Sequence, residues 1–113
     1  MMPDDAAASL LMAVPMPLVL IAPDARIAAM NARACALFGA DGTGRHHVTV
    51  LRQPALLDAI EAALGAGRTG GARYLDPSPG SEGAYRVTVA PVEAAGVLVS
   101  FEDVTDLERA TQM

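Results

Sequence analysis

GVLVSFEDVTDLE, at residues 96–108, joins a strand pattern directly to a helix start. Apolar residues alternate along its first half with a period of two, which places one side of a strand in a core: Val97, Val99 and Phe101. Thr105 and Glu108 then have the spacing of a capping box, in which each side chain satisfies a free backbone N–H of the other residue. We therefore predict a helix that begins at about Thr105.

The residues after Glu108 are too few to form that helix alone. Only five follow it, whereas an isolated helix needs roughly 12–15 residues to be even marginally stable in water. We therefore expect the helix to continue in a longer protein. The chain is interpreted as an N-terminal helix at 1–14, a globular domain at 15–105 and the start of a truncated helix at 106–113.

Composition limits the partners that the chain can have. The 113 residues are 52% apolar, enough for one core, and the net charge of −5 repels phosphate backbones and anionic lipid surfaces. We therefore expect no nucleic acid partner and no direct membrane contact. All eight basic residues are arginine, which excludes lysine Schiff-base chemistry and the lysine of a nucleotide-binding loop. The single cysteine, Cys35, cannot form an internal disulfide, in keeping with a reducing compartment.

The apolar run at residues 6–22 has the composition of a membrane span or signal peptide but not the pattern. Asp4 and Asp5 stand where a signal peptide needs positive charge, and Pro15 and Pro17 interrupt a run already shorter than the ~20 residues that a span needs. We predict instead a short helix before Pro15 and a strand after it. Because this helix is apolar on both sides, we expect a second copy of the chain to cover it through Leu10, Leu11 and Met12.

The rest of the chain alternates strand and helix signals. Strands are predicted at 18–22, 26–30, 72–75 and 85–90 and from Gly96 onward; helices are predicted at 32–38, between Asn31 as cap and Gly39 as stop, and at 54–64, ended by Gly65 and Gly67. A flexible loop is expected at 41–44. Helices grouped between a hairpin and a three-stranded meander predict an α+β fold, a five-stranded antiparallel sheet with the helices on one face.

The order of several short motifs resembles that of PAS domains, in particular those of bacterial phosphate-regulon-type sensor histidine kinases. The motifs span the chain from about Leu10 to Glu108: PMPLVLIA at 15–22, DARI at 24–27, NARA at 31–34, LFG at 37–39, LRQPALLDAI at 51–60 and FEDVT at 101–105. LRQP at 51–54 is the part most similar to the kinase subgroup. The resemblance implies a PAS fold with sheet order 2-1-5-4-3, a cytoplasmic location, dimerisation through the first helix, and a downstream coiled coil that leads to a kinase core.

The motifs by which PAS domains hold coloured cofactors are missing. Flavin-binding members carry a cysteine in an Asn-Cys-Arg-Phe-Leu-Gln-type helix that this sequence lacks, and haem-binding members carry a histidine on the long helix, whereas 54–64 contains none. We therefore expect neither haem nor flavin. An unidentified small ligand, or no ligand, is compatible with the pattern. Its pocket would be lined by residues that equally suit an ordinary core: Met30, Phe38, Leu57, Ile60, Tyr74, Val87, Val99 and Phe101.

His46, His47 and Cys35 are the remaining residues that could carry chemistry. Neighbouring side chains point in different directions on a strand or a helix, so the two histidines are expected to be solvated loop residues and no metal site is predicted. Cys35 and a histidine could form a thiolate–imidazole pair. The sequence has no nucleophile elbow or oxyanion loop beside it, so a Cys/His hydrolase is only a remote alternative.

The junction between the last strand and the last helix is the predicted signal-coupling site: Asp103, Val104 and Thr105. We interpret the chain as a non-enzymatic sensory and relay module of a two-component sensor histidine kinase, itself cytoplasmic, in a parent that is soluble or anchored in the inner membrane. Its expected partners are a second copy, the downstream kinase core and a regulatory protein. The alternative is a small-molecule-binding PAS domain of a transcription regulator or cyclic-nucleotide enzyme.

Overall fold

A computed structural model of the protein describes residues 14–76 and 83–107. Five strands form one antiparallel sheet in the order β2-β1-β5-β4-β3. The elements are β1 at Leu18–Ile21, β2 at Ile27–Met30, α1 at Ala32–Phe38, α2 at Val48–Leu51, α3 at Pro54–Ala66, β3 at Gly70–Leu75, β4 at Ala84–Val92 and β5 at Gly96–Asp103. The α+β fold class and the strand order predicted from the sequence are confirmed.

One face of the sheet forms the core together with the helices. Val19, Val99 and Val89 lie side by side on β1, β5 and β4, and all three are completely buried. Alternate residues of β5 face this side, as the period-two pattern predicts. α3 covers the sheet with Leu56 and Ile60, which are also completely buried. The interior is therefore a continuous apolar layer between the sheet and α3.

The ends of α1 follow the local signals in the sequence. The side-chain oxygen of Asn31 accepts a hydrogen bond from the Ala34 N–H at 2.9 Å, which satisfies a donor of the first turn. Gly39 then leaves the helix in the left-handed region, with φ of +79°. Both predicted ends of α1 are confirmed.

α3 begins at Pro54 as predicted but ends later than predicted. It runs to Ala66, and Gly67 stops it in the left-handed region with φ of +66°. The prediction that Gly65 ends this helix is wrong, because Gly65 keeps a helical backbone. Glycine ends a helix where it adopts positive φ. A glycine that keeps the helical backbone only lowers the stability of the helix relative to alanine.

The loop expected to be flexible at 41–44 is bonded to the β1–β2 hairpin, so that expectation is wrong. Gly42 is buried, and its N–H lies 3.1 Å from the sulfur of Met30. The Gly44 N–H donates to the Ile27 carbonyl and the Ile27 N–H donates to the Arg45 carbonyl, both at 2.8 Å. Long-range backbone bonds of this kind leave no periodic signal. The one-turn helix α2 is also absent from the prediction, because four residues are too few to show a helical period.

His47 is a structural residue, and the prediction that it is solvated is wrong. Its side chain is buried, with 2% exposed, and both its backbone N–H and its Nδ1 lie 3.0 Å from the carbonyl oxygen of Ala25. Ala25 turns the hairpin with φ of +71°. His46 remains exposed, as expected, and stacks on the His47 ring at a centroid distance of 4.7 Å. His47 therefore ties the hairpin turn to the start of α2.

Two predicted segments fall almost entirely outside the described residues. The dimerisation helix at 1–14, with Leu10, Leu11 and Met12, is described only at Val14, and the signalling helix at 106–113 only at Asp106 and Leu107. Both segments stay predictions. Within 14–76 and 83–107, none of the helices combines the length and the apolar character needed to cross a membrane.

Candidate functional site

The three predicted signal-coupling residues form a corner that is fastened to the first residue of β4. Val104 is buried, and its N–H donates to the Ala84 carbonyl at 2.9 Å. The Ala84 N–H in turn donates to the hydroxyl oxygen of Thr105 at 2.9 Å. Asp103 accepts a hydrogen bond from the Thr105 N–H at 2.9 Å, and a helical turn over residues 105–107 begins there. Strand, corner and helix start thus form one bonded unit.

Asp103 is the residue that caps this turn through its side chain. Its carboxylate reaches the N–H two residues ahead, the geometry of an Asx turn. The capping box predicted for Thr105 involves Glu108, which lies outside the described residues. The structure gives the Thr105 hydroxyl a different contact, because it accepts from the Ala84 N–H and lies 3.4 Å from the Ala84 carbonyl. Thr105 therefore connects the outgoing turn to β4.

The corner holds a carboxylate beside a phenol. The Thr105 side chain, and then the Thr105 N–H that donates to the carboxylate at 2.9 Å, lower the pKa of Asp103. Tyr85 lies opposite Asp103 in the β4–β5 register. Burial raises the pKa of the Tyr85 hydroxyl, and the charges of Asp103 and Asp76 raise it further. At neutral pH, Asp103 is therefore ionised and Tyr85 is neutral.

The incoming end of the domain lies beside this corner. Phe101, two residues before Asp103, donates its N–H to the Pro17 carbonyl at 3.1 Å. Asn31 fixes the same incoming segment, because its side chain accepts from the Leu18 N–H at 3.0 Å and donates to the Met16 carbonyl at 2.7 Å. The chain therefore enters and leaves the domain at the same end of the sheet.

Two open cavities lie on this side of the fold. A cavity of about 610 Å³, which we name the arginine cleft, is bounded by the end of α1, the loop at 39–45, α2 and the start of α3, with Arg45, Arg52 and Tyr74 in its wall. A cavity of about 470 Å³, which we name the junction cleft, lies between residues 15–17 and the corner and includes Asp103 in its wall.

The four aromatic residues of the chain form one cluster between the two clefts. Phe38 and Tyr74 line the arginine cleft, and Tyr85 and Phe101 line the junction cleft. Ring centroids are 5.5 Å apart for Phe38 and Tyr74, 5.7 Å for Tyr74 and Phe101, and 6.4 Å for Tyr85 and Phe101. These distances suit edge-to-face contacts. Packed rings thus connect one cleft with the other.

Comparison with known families agrees with this architecture. A family model described as PAS fold matches residues 11–109. The chain belongs to the PAS family. None of the curated proteins compared with this PAS domain matches it.

Solved structures of similar fold include PAS domains of regulatory proteins. The PAS domain of BvgS from Bordetella pertussis has a TM-score of 0.67 and 16% identity, with 96% of this chain and 93% of that chain covered. The PAS domain of nitrogen regulation protein NR(II) from Vibrio parahaemolyticus has a TM-score of 0.62 and 15% identity, covering 86% and 96%. The PAS domain of a LuxR-family transcriptional regulator from Burkholderia thailandensis, in complex with ethanol, has a TM-score of 0.60 and 18% identity, covering 86% and 96%. At these identities the likeness shows the fold.

The eight residues predicted for a ligand pocket lie within or against the core of the PAS domain. Six are buried: Met30, Ile60, Tyr74, Val87, Val99 and Phe101. Phe38 and Leu57 are partly buried against them. Phe38 and Tyr74 also form part of the wall of the arginine cleft, and Phe101 forms part of the wall of the junction cleft.

The sequence prediction missed Arg45 and Arg52, the charged residues of the arginine cleft. A signal for them exists, because no acidic residue occurs between Asp41 and Asp58 although the chain as a whole is acidic. Charge counted over the whole chain hides this local excess of positive charge.

Cys35 is not part of a catalytic pair in the described residues. It lies half-buried on α1, and burial followed by the charge of Asp41 raises the pKa of its thiol, which opposes formation of a thiolate. His47 bonds to Ala25, and no hydrogen bond joins Cys35 to either histidine across the described ranges. The same part of the chain contains no group of three or more His, Cys, Asp or Glu side chains placed to hold a metal ion.

The lowered pKa of Asp103 predicts how the corner responds to acid. A carboxylate with a lowered pKa in the folded state stabilises the fold above its unfolded-state pKa, and this contribution is lost as the pH falls through the folded-state pKa. In an NMR titration, the Thr105 amide should therefore shift with a midpoint below that of an ordinary aspartate, and the shift should vanish in Asp103→Asn. The Thr43 amide, bonded to Asp41, should titrate in both proteins. A Thr105 midpoint at the ordinary aspartate value would contradict the prediction.

Proposed function

We propose that this PAS domain is the cytoplasmic sensory and signal-relay module of a two-component sensor histidine kinase. As a PAS domain the chain is sensory, so the kinase activity belongs to the parent protein. The observation that carries the proposal is the corner at Asp103–Thr105, where hydrogen bonds to Ala84 join β4 to the first turn of the outgoing helix. Because that turn starts from the sheet without a linker, a small shift between β4 and β5 changes how the helix begins.

The aromatic cluster supports the relay. Phe38 is the last residue of α1, whereas Tyr85 belongs to β4 and lies opposite Asp103 in the strand pair. A ligand that displaces Phe38 or Tyr74 in the arginine cleft therefore pushes on rings that reach the corner. Packed rings in a dense core transmit such displacements because they have few alternative positions.

The kinase parent and the dimer rest on sequence. LRQP at 51–54 resembles the kinase subgroup, and the similar structures include proteins named for regulation, such as NR(II). The two-sided apolar pattern at 1–14 supports a homodimer through Leu10, Leu11 and Met12. In such a dimer two outgoing helices run side by side into the kinase core. A regulatory protein is a further partner in this proposal.

A transcription regulator is the second candidate for the parent. The similarity to the PAS domain of the LuxR-family regulator from Burkholderia thailandensis favours it. Incubation of the full-length protein with labelled ATP separates the two candidates, because only a histidine kinase forms an acid-labile phosphohistidine.

The relay proposal predicts that Thr105→Ala changes kinase output without unfolding the domain. The variant loses the hydrogen bond from the Ala84 N–H, which contributes about 0.5–1.5 kcal/mol to stability, a small part of the ~5–15 kcal/mol that holds a domain folded. We expect the autophosphorylation or phosphatase rate of the full-length protein to change by about fivefold or more, the lower end of ordinary coupling between sites.

Thr69→Ala is the matched control. Thr69 is exposed and precedes Gly70, which pairs with Val89 at the end of β3 far from the Leu75–Ala84 pair. It should leave both rates unchanged. If Thr105→Ala and Asp103→Ala proteins remain folded by circular dichroism and keep the rates of the unaltered protein, the corner does not carry the signal.

A further inference from the structure

The arginine cleft has the opposite charge to the rest of the molecule. The chain carries thirteen acidic and eight basic residues. The residues that line the cleft include Arg45 and Arg52 but no aspartate or glutamate. The junction cleft, by contrast, contains Asp76, Glu102 and Asp103 in its wall. A local positive potential in an acidic domain suits a ligand with negative charge.

Within residues 14–76 and 83–107, no carboxylate lies within ion-pair distance of Arg45 or Arg52, the two guanidinium groups of the cleft. Asp41, the nearest acidic residue along the chain to Arg45, is turned to Thr43, whose hydroxyl and N–H donate to it at 2.6 and 3.0 Å. The two positive charges are therefore available to a bound anion.

The backbone holds Arg52 in an uncommon conformation. Its φ is +46°, and the Leu51 carbonyl and the Gln53 N–H meet around it at 2.5 Å, which makes a γ-turn with a positive central φ. That form of γ-turn is rare and strained, and strain of this kind concentrates at ligand-binding and other functional sites. The Arg52 Nε donates to the Thr49 carbonyl at 3.1 Å, so the guanidinium is oriented while its two terminal nitrogens stay available.

Two further polar side chains of the cleft, Gln53 and Thr49, already make hydrogen bonds within the protein. The Gln53 amide donates to the Leu75 carbonyl at 2.7 Å, and the Thr49 hydroxyl donates to the His46 carbonyl at 2.8 Å. The remaining wall is mainly apolar, with Phe38 and Tyr74 at the aromatic cluster. Two guanidiniums and an apolar wall thus define what the cleft can bind.

We propose that the arginine cleft binds an organic carboxylate with an apolar body. Guanidiniums pair with carboxylates through two parallel N–H···O bonds, and the apolar body of such a ligand is buried against Phe38 and Tyr74. The volume of about 610 Å³ lies within the roughly 300–1,000 Å³ of small-molecule sites. This inference goes beyond the relay role, since it names a class of ligand and is tested by binding alone.

The test is a two-dimensional amide NMR titration of the chain with phenylacetate and octanoate, each beside its neutral amide, phenylacetamide or octanamide. We expect at least one carboxylate to shift amides within residues 38–54 and to bind about tenfold more tightly than its amide, the difference expected from one charge-assisted hydrogen bond. Failure of both carboxylates to shift these amides at millimolar concentration would overturn the proposal, as would equal affinity for acid and amide.

Arginine variants locate the site. Arg45→Ala and Arg52→Ala should each weaken carboxylate binding about tenfold. Arg68→Ala removes the same charge at an exposed position after α3 and should leave the affinity unchanged. Equal affinities in all three variants would assign the binding to another surface and refute the cleft. Because no kinase activity is measured, this result is independent of the outcome for Thr105→Ala.

Discussion

Replacing Gly96 with alanine is expected to destabilise the domain more than any other glycine substitution in the described residues. Gly96 has φ of +113°, and a Cβ there would overlap the carbonyl oxygen of Ile21 and touch the carbonyl carbon of Ala22 at 3.0 Å. The obstacle is the backbone of the neighbouring strand β1, which cannot rotate away as a side chain can. Strain and overlap together should cost about 3 kcal/mol or more. The melting temperature should fall by on the order of 10 °C or more.

Gly65→Ala is the matched control for this experiment. Gly65 lies inside α3, and a Cβ there meets no atom within 4 Å. Alanine has the higher helix propensity, so this change should stabilise the domain by about 0.5–1 kcal/mol. Thermal denaturation followed by circular dichroism measures both. If Gly96→Ala melts at the temperature of the unaltered chain, the close approach of β1 and β5 at this residue is incorrect.

Asn31→Ala is expected to produce the second large loss. Asn31 is 1% exposed, and one side-chain oxygen accepts from both the Leu18 and Ala34 N–H groups while the amide nitrogen donates to Met16. Alanine removes a helix cap, worth about 1 kcal/mol, and leaves the buried Leu18 donor unsatisfied at a further cost of about 1–3 kcal/mol. We expect the free energy of unfolding to fall by about 2–4 kcal/mol.

Two further variants test the role of Asn31. Asn31→Asp keeps an acceptor for both N–H groups but has no donor for the Met16 carbonyl. Its free energy of unfolding should therefore lie between those of Asn31→Ala and the unaltered chain. Asp24→Ala removes an exposed side-chain bond to the Arg26 N–H and should cost less than about 1 kcal/mol. Urea denaturation compares them. Equal losses for Asn31→Ala and Asp24→Ala would show that the buried network contributes no more than a surface turn.

The sequence predicts the helices and strands of this fold well because the residues that determine each element lie within it or next to it. The alternation of Val97, Val99 and Phe101 depends only on which side of β5 meets the core. Asn31 and Gly39 act on backbone groups a few residues away, so their roles at the ends of α1 are visible in the sequence.

Two of the errors concern residues whose partners are distant along the chain. His47 is buried because its ring and backbone meet Ala25, twenty-two residues earlier. The segment at 41–44 is held by Ile27 and Met30, and no pattern within the segment reveals this. A composition rich in glycine and polar residues therefore does not distinguish a flexible loop from one bonded to a neighbouring hairpin.

The candidate site also combines features that the sequence predicts with contacts that it does not. The position of the corner at Asp103–Thr105 can be read from the strand and helix signals that meet there, but the bond from the Ala84 N–H to Thr105 cannot, because Ala84 belongs to another strand. Arg45 and Arg52 both line the cleft because the turns before α2 and the γ-turn at Arg52 bring the two segments to it. Their common charge was visible in the sequence, whereas their convergence was not.

β1 begins and β5 ends at the same end of the sheet, and this placement has a mechanical consequence. Leu18 begins β1 opposite Ser100, and β5 leaves toward Asp103 at that same end. Tension applied through the segments before Leu18 and after Asp103 therefore separates the β1–β5 pair from one end, beginning at the Leu18–Ser100 pair. The hydrogen bonds between these strands then carry the load one after another, and not together as they would if the ends left from opposite edges. Separating β1 from β5 in this direction therefore needs less force than breaking all of their hydrogen bonds at once.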